Sequence, residues 1–263
     1  MTEDHIAPIP PTLAVAVRPT LLFVAAYALT STPHEAAHAL YAYSLGFSST
    51  LFQLWVNPDA AAARPAQLAA VACVGPLFSL VVGVICGLFY YWWYRRKSAG
   101  LFFLMMAMVG VYSFLGPVTG AAFGGDFNLA FRFLGVSATL KWIVSAIGAV
   151  LLAAFMFQFG QEMRRWVPAR YGRAGAVICT TVAPWLLGPP LIIALYWPLP
   201  RFLIGSTITG SAFWLFAVLG AAFGASPPRA EDAATAPRGM DLLVLAIAVI
   251  MVRGLAHGLR LAH

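Results

Sequence analysis

The chain has 263 residues, 61% of them hydrophobic and 10% charged, with mean hydropathy +0.83. Soluble domains carry roughly 25% charged residues, so most of this surface cannot face water, and the long apolar runs point to helices in lipid. The 16 basic residues outnumber the 9 acidic ones, yet no basic patch is interleaved with aromatics; nucleic acid is excluded as a partner, and the excess fits cytoplasmic loops of a membrane protein.

Met1 to Pro11 is polar and proline-rich, and residues 1–18 form the expected N-terminal tail. No basic n-region precedes the first apolar run, so a cleaved signal peptide is not expected. The first span is predicted from about Pro19 to Leu45, kinked at Pro33, where the ring removes one backbone hydrogen bond and crowds the preceding turn. Thr30, Ser31 and Thr32 are placed to satisfy the freed groups and to line a path for water. Gly46 to Arg64 reads as a short extended or re-entrant segment, with Leu51 to Val56 as a strand and Asn57-Pro58-Asp59 as a turn.

The second span, about Pro65 to Tyr94, ends in Tyr90-Tyr91-Trp92-Trp93-Tyr94 followed by Arg95-Arg96-Lys97, which marks a cytoplasmic end. A third covers about Ala99 to Gly116. After a glycine-rich break, Asp126 to Leu134 forms a short helix, and Ser137 caps a fourth span reaching about Gly160. Arg164, Arg165, Arg170 and Arg173 then mark a second cytoplasmic loop. Further spans are predicted at about Ala174 to Trp197, Phe202 to Phe223 and Met240 to Leu261, with a Pro- and Ala-rich linker from Ser226 to Gly239. Cys73, Cys86 and Cys179 lie in apolar stretches, so no disulfide framework is expected.

The result is an all-α fold, a polytopic transmembrane helical bundle of about seven spans. Basic loops inside put the N-terminus inside and the ends of spans one and three together on the outer side.

His34-Glu35-Ala36-Ala37-His38 carries the chemistry. Residues four apart share a helix face, so both imidazoles can reach one ion, and the Glu between them can take a proton from water as it attacks a carbonyl. Three ionisable groups within five residues of a membrane helix are costly unless they bind something. Zinc needs a third protein ligand and one open position. Glu162 sits beside Arg164 and Arg165 as an interfacial ion pair, Glu3, Asp4, Glu231 and Asp232 lie in the tail or linker, and Asp241 stabilises a helix N-terminus. Asp126, which also suits an N-cap, is the leading third ligand, because the topology returns it to the side of the His pair; Asp59 is the alternative.

In these residues the chain resembles the site-2 protease family of intramembrane zinc metalloproteases, over about residues 20–160. The His-Glu pentad is intact. The family's Gly-Pro-x-x-Asn element is matched by Gly75-Pro76-Leu77-Phe78-Ser79, with Ser in place of Asn, and its Asp-Gly element by Gly125-Asp126-Phe127, with the order reversed. The resemblance implies a protease-like core at 19–160 and leaves 161–263 as additional C-terminal helices. It also implies Zn2+ on His34, His38 and Asp126, Glu35 as catalytic base, and a membrane protein or peptide as substrate. Ser79 and Asn128 are candidate contacts to substrate or oxyanion. Much of the family holds its zinc nearer the cytosol, whereas the loop charges here put it nearer the outer face.

The expected function is hydrolysis of a peptide bond in or near a membrane segment, by a multi-pass protein of the cell inner (plasma) membrane. It would work as a monomer, a homo-oligomer or part of a larger membrane complex. The alternative is a non-catalytic membrane subunit that keeps the scaffold and binds a partner protein. A zinc or proton transporter fits less well, because acidic groups do not recur along several spans.

Overall fold

The computed structural model describes residues 11–59, 63–95, 97–199, 211–224 and 237–262. Of the tail expected over 1–18, residues 1–10 lie outside the described residues and 11–18 are instead the first turns of the first helix. The start of the sixth predicted span and most of the linker after it also lie outside, as do Glu3, Asp4, His5, Glu231, Asp232 and His263.

The architecture is helical. Helix α1 (Pro11–Ser44) is followed by strands β1 (Ser48–Leu51) and β2 (Val56–Asp59), then α2 (Pro65–Phe89), which continues as a π-helical turn through Tyr94. Helix α3 (Gly100–Thr119), the short α4 (Asp126–Phe133) and the long α5 (Ala138–Arg164) follow. The last part comprises α6 (Gly172–Val177), α7 (Ala183–Tyr196), α8 (Trp214–Phe223), α9 (Gly239–Gly254) and β3 (Leu259–Leu261). Five segments are long and apolar enough to cross a membrane: Val15–Ser44, Pro65–Tyr94, Gly100–Ala122, Ala138–Arg164 and Gly172–Tyr196. The described part of the sixth predicted span is a shorter apolar helix, Ser211–Phe223, and α9 has 16 residues.

Helix α1 is the axis of the bundle. Its most apolar window is 78% buried, against 22% for Ala138–Arg164, and it packs on α2, α3, α7 and α9. That ordering follows from composition. The helix with the costly polar residues goes inside, and α5 turns Ile143, Ile147, Val150 and Leu151 outward, a face suited to lipid and not to water. One continuous apolar core runs from Leu22 of α1 to Val252 of α9, so the C-terminal helices share a core with the N-terminal ones. Helices α2 and α3 cross at Gly83 and Gly110, where a Cβ on either would meet the other's backbone at under 3 Å; absent side chains allow that approach.

The extended segment departs from expectation. Phe52 to Trp55 is the turn, closed by Phe52 N–H donating to the Trp55 carbonyl at 2.9 Å and by stacking of the two rings at 4.3 Å. Asn57-Pro58-Asp59, expected as a turn, is strand β2. Proline is tolerated there because β2 is an edge strand of a sheet ordered β2-β1-β3. The last span, predicted to Leu261, stops at Gly254. Gly258, at φ +80°, turns the chain back so that Leu259–Leu261 pairs antiparallel with β1.

Candidate metal centre

The pentad lies inside α1, with His34 8% and His38 4% exposed. Helix α2 provides the wall facing it, through Val71, Gly75 and Ser79, which are four apart and share one face. Nδ1 of His38 donates to the Val71 carbonyl at 2.6 Å. Since a carbonyl only accepts, His38 carries its proton on Nδ1 and presents an Nε2 lone pair. Nδ1 of His34 lies 2.9 Å from the Ser79 hydroxyl, which can serve as donor or acceptor. A Cβ added at Gly75 would run into Nε2 of His38, so the glycine leaves the space that the ring fills. Pro76, next in sequence, has no N–H for the Ala72 carbonyl and opens α2 at the level of the site.

Asp126 enters from the other side, at the start of α4. Gly125, at φ +86°, lets the chain turn from the end of α3 into α4, and α4 packs on α2. Nε2 of His34 is 3.1 Å from Nε2 of His38 and 3.3 Å from Asp126 Oδ2, with His38 Nε2 at 3.8 Å from the same oxygen. Tetrahedral zinc with bonds of roughly 2.0 to 2.1 Å separates its ligand atoms by about 3.3 Å. Three potential ligand atoms converging at these spacings form a group that could hold a metal ion. Burial raises the Asp126 carboxyl, but the His34 hydrogen bond and the charge on the two imidazoles outweigh it and hold the group below its ordinary value. Its side chain is 31% exposed, so the site opens on this side.

Glu35 is close enough for its charge to act on His34 and Asp126, and no hydrogen bond from a described residue holds its carboxylate. Asp59 ends β2 opposite Ser48, beside Arg260, outside the group of three. Asn128 donates to the Ala121 carbonyl at 2.9 Å and braces the turn before α4. Ser79 is fully buried against His34. The supporting contacts from Val71 and Ser79 were missed in sequence, although Gly75-Pro76-x-x-Ser79 was the available signal. Thr30 and Thr32, expected along a water path, are enclosed at 1% and 2% exposure.

Glu162 is an ion-pair residue, as expected: its carboxylate accepts from Arg95 at 2.9 Å, pairs with Arg165 at 3.4 Å and accepts from the Tyr90 hydroxyl at 2.9 Å. Asp241 accepts from the Arg238 backbone N–H at the start of α9 and is also paired with Arg18 at 2.7 Å. Cys73, Cys86 and Cys179 form no disulfide with one another.

Compared with known families, characterised proteins and solved structures, the chain has no match.

Proposed function

We propose that the chain is an intramembrane zinc metalloprotease that hydrolyses a peptide bond in or near a membrane segment of a protein substrate. The observation that carries this reading is the convergence of two imidazole Nε2 atoms and one carboxylate at metal-ligand spacing, with Glu35 beside them and hydrogen-bonded by no described residue. The donor set of two nitrogens and one oxygen suits zinc with a position left open. When bound there, zinc supplies Lewis acidity that polarises the scissile carbonyl and eases ionisation of water.

The remaining steps belong to the chain. His34, His38 and Asp126 hold the ion, and the Val71 carbonyl and Ser79 hydroxyl fix the two rings. Glu35 accepts a proton from water as its oxygen attacks the carbonyl carbon, and gives that proton to the leaving amide nitrogen as the C–N bond breaks. Water reaches the site from the Asp126 side. The same reading counts α8 and α9 as the sixth and seventh membrane segments and places the protein in the cell inner membrane.

Zinc analysis and cleavage of single-span substrates in proteoliposomes test it together. Glu35→Gln is expected to keep stoichiometric zinc while cleavage falls on the order of 100-fold or more. Cleavage unchanged in that variant would overturn the mechanism. Stoichiometric zinc with no cleavage by wild type would favour a non-catalytic subunit.

A further inference from the structure

No described residue of the C-terminal helices belongs to the group of three, yet one of these helices reaches the segment that carries it. Tyr196 closes α7 and is fully buried, and its phenol lies 3.3 Å from the Thr32 hydroxyl. Thr32 in turn donates to the backbone carbonyl of Gln53 at 3.2 Å. The Gln53 side-chain amide donates to the Tyr196 carbonyl. Three segments distant in sequence are thus joined in a closed ring of hydrogen bonds, with all three residues 2% exposed or less. Such a ring is worth more in a dry interior than its members separately.

Its position gives it a consequence. Thr32 immediately precedes Pro33, which leaves the Leu29 carbonyl without its helical partner and weakens α1 at that turn. Glu35 is three residues after Thr32 and on the same helix face, and its charge reaches the Tyr196 phenol. The two histidines are fixed from α2 by Val71 and Ser79. Among the described residues none hydrogen-bonds the Glu35 carboxylate, and the ring supplies a restraint through the backbone.

We propose that Tyr196, acting through Thr32 and Gln53, is a positioning residue that fixes the turn of α1 bearing Glu35. This rests on the protease reading for its catalytic consequence, but not for its structural one. Tyr196→Phe and Thr32→Val are each expected to lower kcat about 10-fold, since small misplacements of a catalytic group are costly. KM should stay within about twofold and zinc content unchanged, because neither variant touches a ligand or a substrate contact. The double variant should be no worse than either single one, and Thr32→Ser should retain wild-type kcat.

Hydrogen exchange supplies the readout independent of activity: amides of residues 32–38 should exchange faster in Tyr196→Phe, with the rest of α7 unaltered. Unchanged exchange there, additive losses in the double variant, or a Thr32→Ser defect equal to that of Thr32→Val would overturn the proposal. A wild-type protein that binds zinc but cleaves nothing would remove the protease reading and leave hydrogen exchange to judge the ring alone.

Discussion

At the scale of single residues, the site is built by what α2 leaves out as much as by what it offers. The His38 ring occupies the space where Gly75 would carry a Cβ. Gly75→Ala therefore displaces a candidate metal ligand without altering any candidate ligand atom. Its metal affinity should fall at least about 100-fold, measured by competition with a chromophoric chelator. Ser79→Ala removes only the partner of His34 Nδ1 and should cost about 10-fold, the lower end for loss of a group that orients a ligand. An affinity unchanged in both would mean that α2 does not support the rings. The grouping of His34, His38 and Asp126 was legible in the sequence because acidic residues are so scarce that few besides Asp126 could join the His pair. The role of Ser79 was not legible, because its partner is 45 positions away and only helix packing brings them together.

Among the elements, the five long apolar helices were legible, whereas the one strand expected, over Leu51 to Val56, is mostly the turn of a hairpin. Apolar runs and Ser137, whose hydroxyl accepts from Leu140 N–H at 3.4 Å, give α5 its start in sequence. By contrast, β3 is three residues long and pairs with a strand more than 200 positions earlier, so no local pattern announces it. The same limit hid the joint between the first and last helices. Asp241 was read as a charge at a helix N-terminus, which it is, but Arg18 of α1 also donates to it through Nε at 2.7 Å and Nη2 at 3.3 Å, and to the Ser98 carbonyl at 2.8 Å. Both side chains are buried, at 2% and 5% exposure. Removing one partner strands the other charge, so Asp241→Ala should destabilise the protein by about 3 kcal/mol, whereas replacing both with apolar residues should recover much of that loss. Denaturation in detergent micelles distinguishes the two; equal stability of Asp241→Ala and wild type would show that the joint carries no weight.

For the molecule as a whole, charge and geometry together fix how far the site lies from the basic layer. Arg18 reaches Ser98, next to Arg95 and Lys97, and Glu162 joins Arg95 to Arg165. These contacts put the start of α1, the loop after α2 and the end of α5 in one layer. His34 is 16 residues beyond Arg18, or about 24 Å along a helix, and the hydrocarbon core is about 30 Å thick. The candidate metal site therefore belongs to the end of the bundle opposite the basic layer. If the basic loops stay in the cytosol, as proposed for this multi-pass reading, His34, His38 and Asp126 would lie toward the outer face, contrary to what the family resemblance implies. The test uses a background in which Cys73, Cys86 and Cys179 are replaced by alanine. Leu134→Cys, just after α4, should react with a membrane-impermeant maleimide on intact cells, and Lys97→Cys only after lysis. The opposite pattern would turn the bundle over, bring the site near the cytosol, and require that the basic loops here do not govern insertion.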